Sequence, residues 1–168
     1  MMINNLKELL ISQVRDLYDA ENRNAALFSR LQAIATDDDL KNILVDHHLE
    51  TETQIARLKE ACADLAVAPE GETCEATKGL VKEAEELIGE TDDSAVKDAA
   101  IILSVQRIKH YEIASYGSAA TFAETLKEFA VADLLKNNLA EEKATDEKLK
   151  KIATGGLLST GLNEQAAE

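Results

Sequence analysis

A chain of 168 residues with a net charge of −14, 45% apolar and 4% aromatic residues, one proline and seven glycines has the composition of a single helical domain. So acidic a surface excludes nucleic acid and anionic membranes as partners, because both call for basic patches, while it aids solubility and gathers cations. No apolar run reaches the roughly 20 residues of a membrane span. The opening M-M-I-N-N-L-K-E-L-L does not read as a signal peptide, and the two isolated cysteines, Cys62 and Cys74, suit a reducing compartment, so the expected location is cytoplasmic.

The first predicted helix starts after Asn4 or Asn5, either able to cap it, and runs to about Ala35. Its stripe of Leu10, Val14, Leu17, Glu21, Asn24, Phe28 and Leu31 carries a carboxylate among apolar residues. The acids of Thr36-Asp37-Asp38-Asp39 complement the dipole of a second helix, Asp38 to Leu65, whose buried side holds Leu44, Ile55, Leu58, Cys62 and Leu65. There His47, Glu50 and Gln54 share one face beside the apolar seam. The run Ala68-Pro69-Glu70-Gly71 breaks the pattern and opens a crossover holding a short helix, about Glu75–Ile88 and ending at Gly89. Ser94, closing the T-D-D-S run, caps a long helix from Ala95 to Thr125 with Ile101, Val105, Ile108, Glu112, Ser115, Ala119, Phe122 and Leu126 at heptad spacing. A turn is expected around Leu126–Glu128, although neither glycine nor proline marks it. The last helix, about Phe129–Ala153, aligns Leu135, Glu142, Thr145, Leu149 and Ile152, with Glu141 and Asp146 beside Glu142. Residues 1–154 are thus expected to form the bundle and 155–168 a flexible tail.

Glu21 and Glu50 stand almost as far apart in the chain as Glu112 and Glu142, so the sequence reads as two helix hairpins joined by a long crossover. That is an all-α, ferritin-like four-helix bundle with an extra short helix in the crossover. One seam glutamate per helix would bring four carboxylates together, which a low-dielectric core cannot hold uncompensated. Iron or manganese in a dinuclear, carboxylate-rich site would compensate them, with Glu21, Glu50, Glu112 and Glu142 as ligands and His47, Gln54, Glu141 and Asp146 as supporting or alternative ones. The chain has no Glu-x-x-His pair of the kind that di-iron bundles use; His47 precedes Glu50 in the reverse order.

The octapeptide H-Y-E-I-A-S-Y-G at His110–Gly117 resembles the corresponding stretch of the bacterial YciF-type stress-associated proteins, with the related YciE type more distant. The resemblance extends to Tyr18-Asp19-Ala20-Glu21, to H-x-L-E-T-x-x-Q-I at His47–Ile55, to Lys97-Asp98-Ala99-Ala100 and to E-E-K-A-T-D at Glu141–Asp146. It implies a ferritin-like bundle, commonly a homodimer, with Glu21, Glu50, Glu112 and Glu141 or Glu142 where the acidic core residues belong. Glu52 and Gln54 depart from it, standing where such chains can have histidine.

Two readings of function follow. In the first, a bound dinuclear iron or manganese centre reacts with dioxygen or peroxide in stress protection. In the second, the acids pair with Arg15, Arg23, Arg107 or Lys143, or some stay protonated, and a non-catalytic helical stress protein acts through homodimerisation and partner binding. Buried lysine or arginine against the core acids would favour the second reading.

Overall fold

The computed structural model describes residues 3–92, 94–156 and 159–167. Met1 and Met2 of the opening segment, Asp93 of the T-D-D-S run, and Leu157, Leu158 and Glu168 of the expected tail lie outside the described residues. Four long helices, α1 (Leu6–Ile34), α2 (Asp38–Asp64), α4 (Ala95–Thr125) and α5 (Phe129–Thr154), make the bundle, and the crossover carries α3 (Glu75–Gly89). Asn5, Asp37 and Ser94 cap α1, α2 and α4 with side-chain oxygens, accepting from Glu8, Leu40 and Val96 N–H groups. Cys74 caps α3 with its sulfur.

The hairpins α1/α2 and α4/α5 pack side by side, α1 against α4 and α2 against α5, while α3 lies outside on α1 and α4. Leu27, Phe28 and Leu31 of α1 meet Leu40 and Leu44, Ile101 and Val105, and Leu149 at one end of the bundle. Leu10, Val14 and Leu17 meet Leu58 and Cys62, Ala119 and Ala123, and Leu135 at the other. The chain direction this requires is α1 and α5 one way, α2 and α4 the other. Parallel α2 and α4 need a connection that returns along the bundle, and the 15-residue α3 supplies about 22 Å of it. This is the ferritin-like connectivity that the spacing predicts.

The turn between α4 and α5 forms because Lys127 adopts φ +62° while the Lys127 and Glu128 N–H groups close on the carbonyls of Glu124 and Ala123. A left-handed lysine leaves no glycine signal in the sequence. The expected flexible tail is instead folded in its described part. Gly155–Gly156 (β1) and Ser159–Thr160 (β2) pair as a two-residue antiparallel ladder. The short helix α6 (Leu162–Gln165) then packs on α4 and α5 with Leu162 buried.

Lys127→Gly is expected to raise stability by about 0.5–1 kcal/mol, because it removes the left-handed strain of an exposed side chain and that gain exceeds the added freedom of the unfolded chain. Urea denaturation with an unchanged slope checks it; a destabilised variant would show that Lys127 contributes contacts beyond its backbone.

Candidate functional site

Between the two apolar ends lies a fully buried polar layer. It draws Glu21 and Asn24 from α1, His47, Thr51 and Gln54 from α2, Lys109 and Glu112 from α4, and Asn138, Glu142 and Thr145 from α5. Helical spacing of three and four stacks these residues on the inward faces, so a single level of the bundle collects polar groups from all four helices. One oxygen each of Glu21, Glu112 and Glu142 lies within 4.8 Å of the others, and all three residues are 0% exposed.

Lys109 stands among them. Its Nζ is 2.5 Å from Glu112 Oε2, is ion-paired to Glu142 Oε2, and lies 2.6 Å from His47 Nε2. It also sits 5.1 Å from the centroid of the Phe28 ring. Two carboxylates and one ring nitrogen thus surround the ammonium at close range. Burial works against the lysine's charge, but Glu112, Glu142 and Glu21 outweigh it and hold its pKa well above the usual lysine value. Since Nε2 of His47 accepts from Lys109, the ring is assigned neutral with its proton on Nδ1, toward Glu50 Oε2 at 3.4 Å. Burial and the adjacent ammonium both push the His47 pKa down.

The carboxylates are held by neutral donors as well. Asn24 Nδ2 donates to Glu112 Oε1 at 2.6 Å, and Gln54 Nε2 donates to Glu142 Oε1 at 2.8 Å and to Glu141 Oε2 at 3.1 Å. Tyr116 donates its hydroxyl to Glu21 Oε1 at 2.6 Å and accepts from Asn138 at 3.1 Å. Within this layer Glu21 Oε2, Asn24 Oδ1 and Gln54 Oε1 are buried with no hydrogen-bond partner among the described residues, and Glu112 Oε2 and Glu142 Oε2 have only their ion pairs with Lys109. Three carboxylates against one ammonium leave the layer short of positive charge. Burial, followed by repulsion from a fellow carboxylate of the cluster, accordingly pushes Glu21, Glu112 and Glu142 each up to about 7.

Three of the four seam glutamates therefore meet, and the fourth does not join them. Glu50 is half-buried beside the cluster, accepting from Thr145 Oγ1 at 3.2 Å and facing His47. Of the neighbouring pair on α5, Glu142 faces the core, while Glu141 lies outward with Arg57 at 2.7 Å. Asp146 is buried but bound to Lys150 at 2.6 Å and to Gln106 at 3.3 Å, away from the cluster. Gln54 belongs to the polar layer as expected of a neutral oxygen donor, and His47 does so through Lys109.

None of the four cations expected against the core acids reaches them. Arg15 donates to the Ala68 carbonyl, Arg23 pairs with Asp19, Arg107 pairs with Glu83, and Lys143 is exposed. Lys109 takes that role, and the heptad reading of α4 passed over it. Its spacing of three from Glu112 was the available signal, but α4 is covered by α1, α3, α5 and α6, so its buried arc is far wider than one stripe.

A dinuclear metal centre was the expected group, and the side chains fit it poorly. The oxygen donors are of the right type, but the Lys109 ammonium stands between Glu112 and Glu142, where a bridging pair of carboxylates would hold cations, and Glu50 is engaged elsewhere.

The titrations set a sign for the pH dependence of stability. Unfolded, these carboxyls ionise near 4.5; folded, near 7, so between those values the folded chain holds more protons and stability falls as pH rises. His47 opposes this, because the unfolded ring takes a proton near 6.5 that the folded one refuses. Glu50, held low by the hydrogen bond from His47, contributes stability that is lost only at lower pH. Three glutamates outweigh one histidine. The melting temperature is expected to rise as pH is lowered from about 8 to about 5.5, and Glu112→Gln to flatten that slope; a melting temperature that rises with pH over this range would refute the assignment.

The comparisons agree with this architecture. Residues 5–166 match the model of DUF892, a domain of unknown function. Protein YciF of Escherichia coli K12 is 36% identical over 154 residues, covering 91% of this chain and 93% of that protein. Its crystal structure, that of a stress protein, superposes with a TM-score of 0.85 over 89% of this chain and 94% of that one. YcfI of Rhodopseudomonas palustris is 39% identical with a TM-score of 0.86, covering 92% and 97% of the two chains. At 14% identity and a TM-score of 0.68, the dodecameric thioferritin of Bacteroides fragilis shares the fold, over 86% of this chain and 84% of that one. Bundle, crossover and the extent of these matches together establish that the chain belongs to the DUF892 family.

Proposed function

We propose that this protein is a non-catalytic, ferritin-like member of a stress-associated family, whose core acids serve the fold and whose activity lies in homodimerisation and partner binding. The observation that carries this reading is Lys109, a fully buried ammonium ion-paired to Glu112 and Glu142 and in hydrogen-bond contact with His47. An internal cation compensates the carboxylates without any bound metal, and a site so occupied offers no open position to dioxygen or peroxide. Two relatives bear descriptions of the same kind, one as a stress protein and one as a candidate structural protein.

A second reading keeps the dinuclear iron or manganese site that oxidises its metal with dioxygen or peroxide. It is supported by the convergence of Glu21, Glu112 and Glu142 oxygens within 4.8 Å. It requires Lys109 to leave the cluster and Glu50 to turn into it. No helix is long and apolar enough to cross a membrane among the described residues, so neither reading calls on one.

Protein purified without chelator is expected to carry well under one iron or manganese ion per chain by mass spectrometry. With Fe(II) it should consume dioxygen no faster than buffer, and light scattering should give the mass of a dimer. About two metal ions per chain, with iron-dependent dioxygen consumption, would establish the second reading and sink the first.

A further inference from the structure

The non-catalytic reading leaves open what Lys109 does to the cluster's choice of cation. Resting on that reading, we infer that Lys109 is a tethered cation that keeps divalent metal ions out of an oxygen cage otherwise composed to hold one, and that removing its ammonium opens the cage to a hard divalent ion such as Mn2+.

The donor set carries the first half of the argument. Glu21, Glu112, Glu142, Asn24 and Gln54 are each 0% exposed and all present oxygen, the element that hard divalent cations prefer. Asn24 and Gln54 are anchored through their amide nitrogens on Glu112 and Glu142, so their carbonyl oxygens belong to the same layer. Those two oxygens and Glu21 Oε2 have no donor among the described residues. Buried acceptors without a donor are costly and uncommon, and three of them around one carboxylate cluster are what a cation satisfies.

The second half rests on Lys109. Its Nζ lies at the point where the Glu112 and Glu142 oxygens and His47 Nε2 converge, which is where a cation bound by those groups would sit. An ammonium on a side chain of the same helix as Glu112 is always present at high effective concentration, whereas a metal ion must come from solution. A divalent ion entering beside it would meet a positive charge at close range in a core of low dielectric and compete for the same carboxylates, so the two occupancies exclude one another. The exclusion is an equilibrium between cations and involves no reaction.

The test uses the full chain, the Lys109→Met variant and Mn2+ as probe. Methionine keeps an unbranched stem of similar bulk and removes the charge. Bound Mn2+ is read by electron paramagnetic resonance and titration calorimetry near neutral pH. Lys109→Met is expected to bind one Mn2+ per chain at least ~100-fold more tightly than the unsubstituted protein, a differential typical of a strong specificity element. Addition of Glu112→Gln should abolish that binding, which separates it from weak association with the acidic surface. If Lys109→Met does not fold alone, refolding with Mn2+ is expected to restore its helical circular dichroism. Three results would overturn the inference: a folded variant that takes up no Mn2+, an unfolded one that Mn2+ does not rescue, or equal affinity with and without Lys109. Each is distinct from failure of the underlying reading, which would show as iron-dependent dioxygen consumption by the unsubstituted protein.

Discussion

Three carboxylates at the centre of a helical bundle are untenable without positive charge, and the architecture of this protein turns on how it is supplied. Lys109 reaches Glu112 on its own helix and Glu142 on the next, and it leans on His47 from a third. Such a buried ion cluster is weak evidence of stability, since desolvating each charge costs several kcal/mol that the mutual attraction must recover. Its value is positional. Every partner must stand at one height for the protons and lone pairs to match, so the polar layer ties the register of α1, α2, α4 and α5 to a single level.

That layer also explains the division of the apolar core. Leu27, Phe28, Leu44 and Ile101 fill one end and Leu10, Leu17, Leu58 and Leu135 the other, and neither cluster continues through the middle. Sliding one helix by a turn would press a glutamate into either apolar end, where it would find neither Lys109 nor Asn24 nor Tyr116. The two hairpins are held in the ferritin-like arrangement by this mismatch as much as by apolar contact. Outside the bundle, Asp98 plays a comparable part, accepting from the backbones of Thr36 and Asp37 and from the Thr36 hydroxyl to fasten the α1/α2 turn onto α4.

The fold is shared with a thioferritin, and at its centre Glu21, Glu112 and Glu142 bring carboxylate oxygens within 4.8 Å of one another. Fold alone does not select a function, however, and the chemistry resides in a handful of side chains. A lysine at one inward position changes the same carboxylates from prospective metal ligands into ion-pair partners. Oxygens of Glu21, Asn24 and Gln54 stay without a hydrogen-bond donor among the described residues, because one ammonium has too few protons for all of the layer's acceptors.

Much of this was legible in the sequence. Apolar spacing marked four long helices and the crossover helix, Asn4 or Asn5, the Thr36–Asp39 run and Ser94 marked where three of them begin, and Glu21, Glu112 and Glu142 stood out as acids on buried stripes. These features are local, set by helical periodicity and capping, and the chain carries them before it folds. Other features were beyond its reach. Lys127 turns the chain left-handed without glycine, and Leu162 docks a segment whose composition reads as a tail. Glu50, on a stripe like the others, ends half-buried beside His47, and Lys109, off the heptad seam, ends at the centre. Sequence alone determined which helices form and at what level their acids lie. Only tertiary packing decided which cation meets those acids, because the buried arc of α4 depends on the two bundle helices, α1 and α5, and the two outer ones, α3 and α6, that close around it.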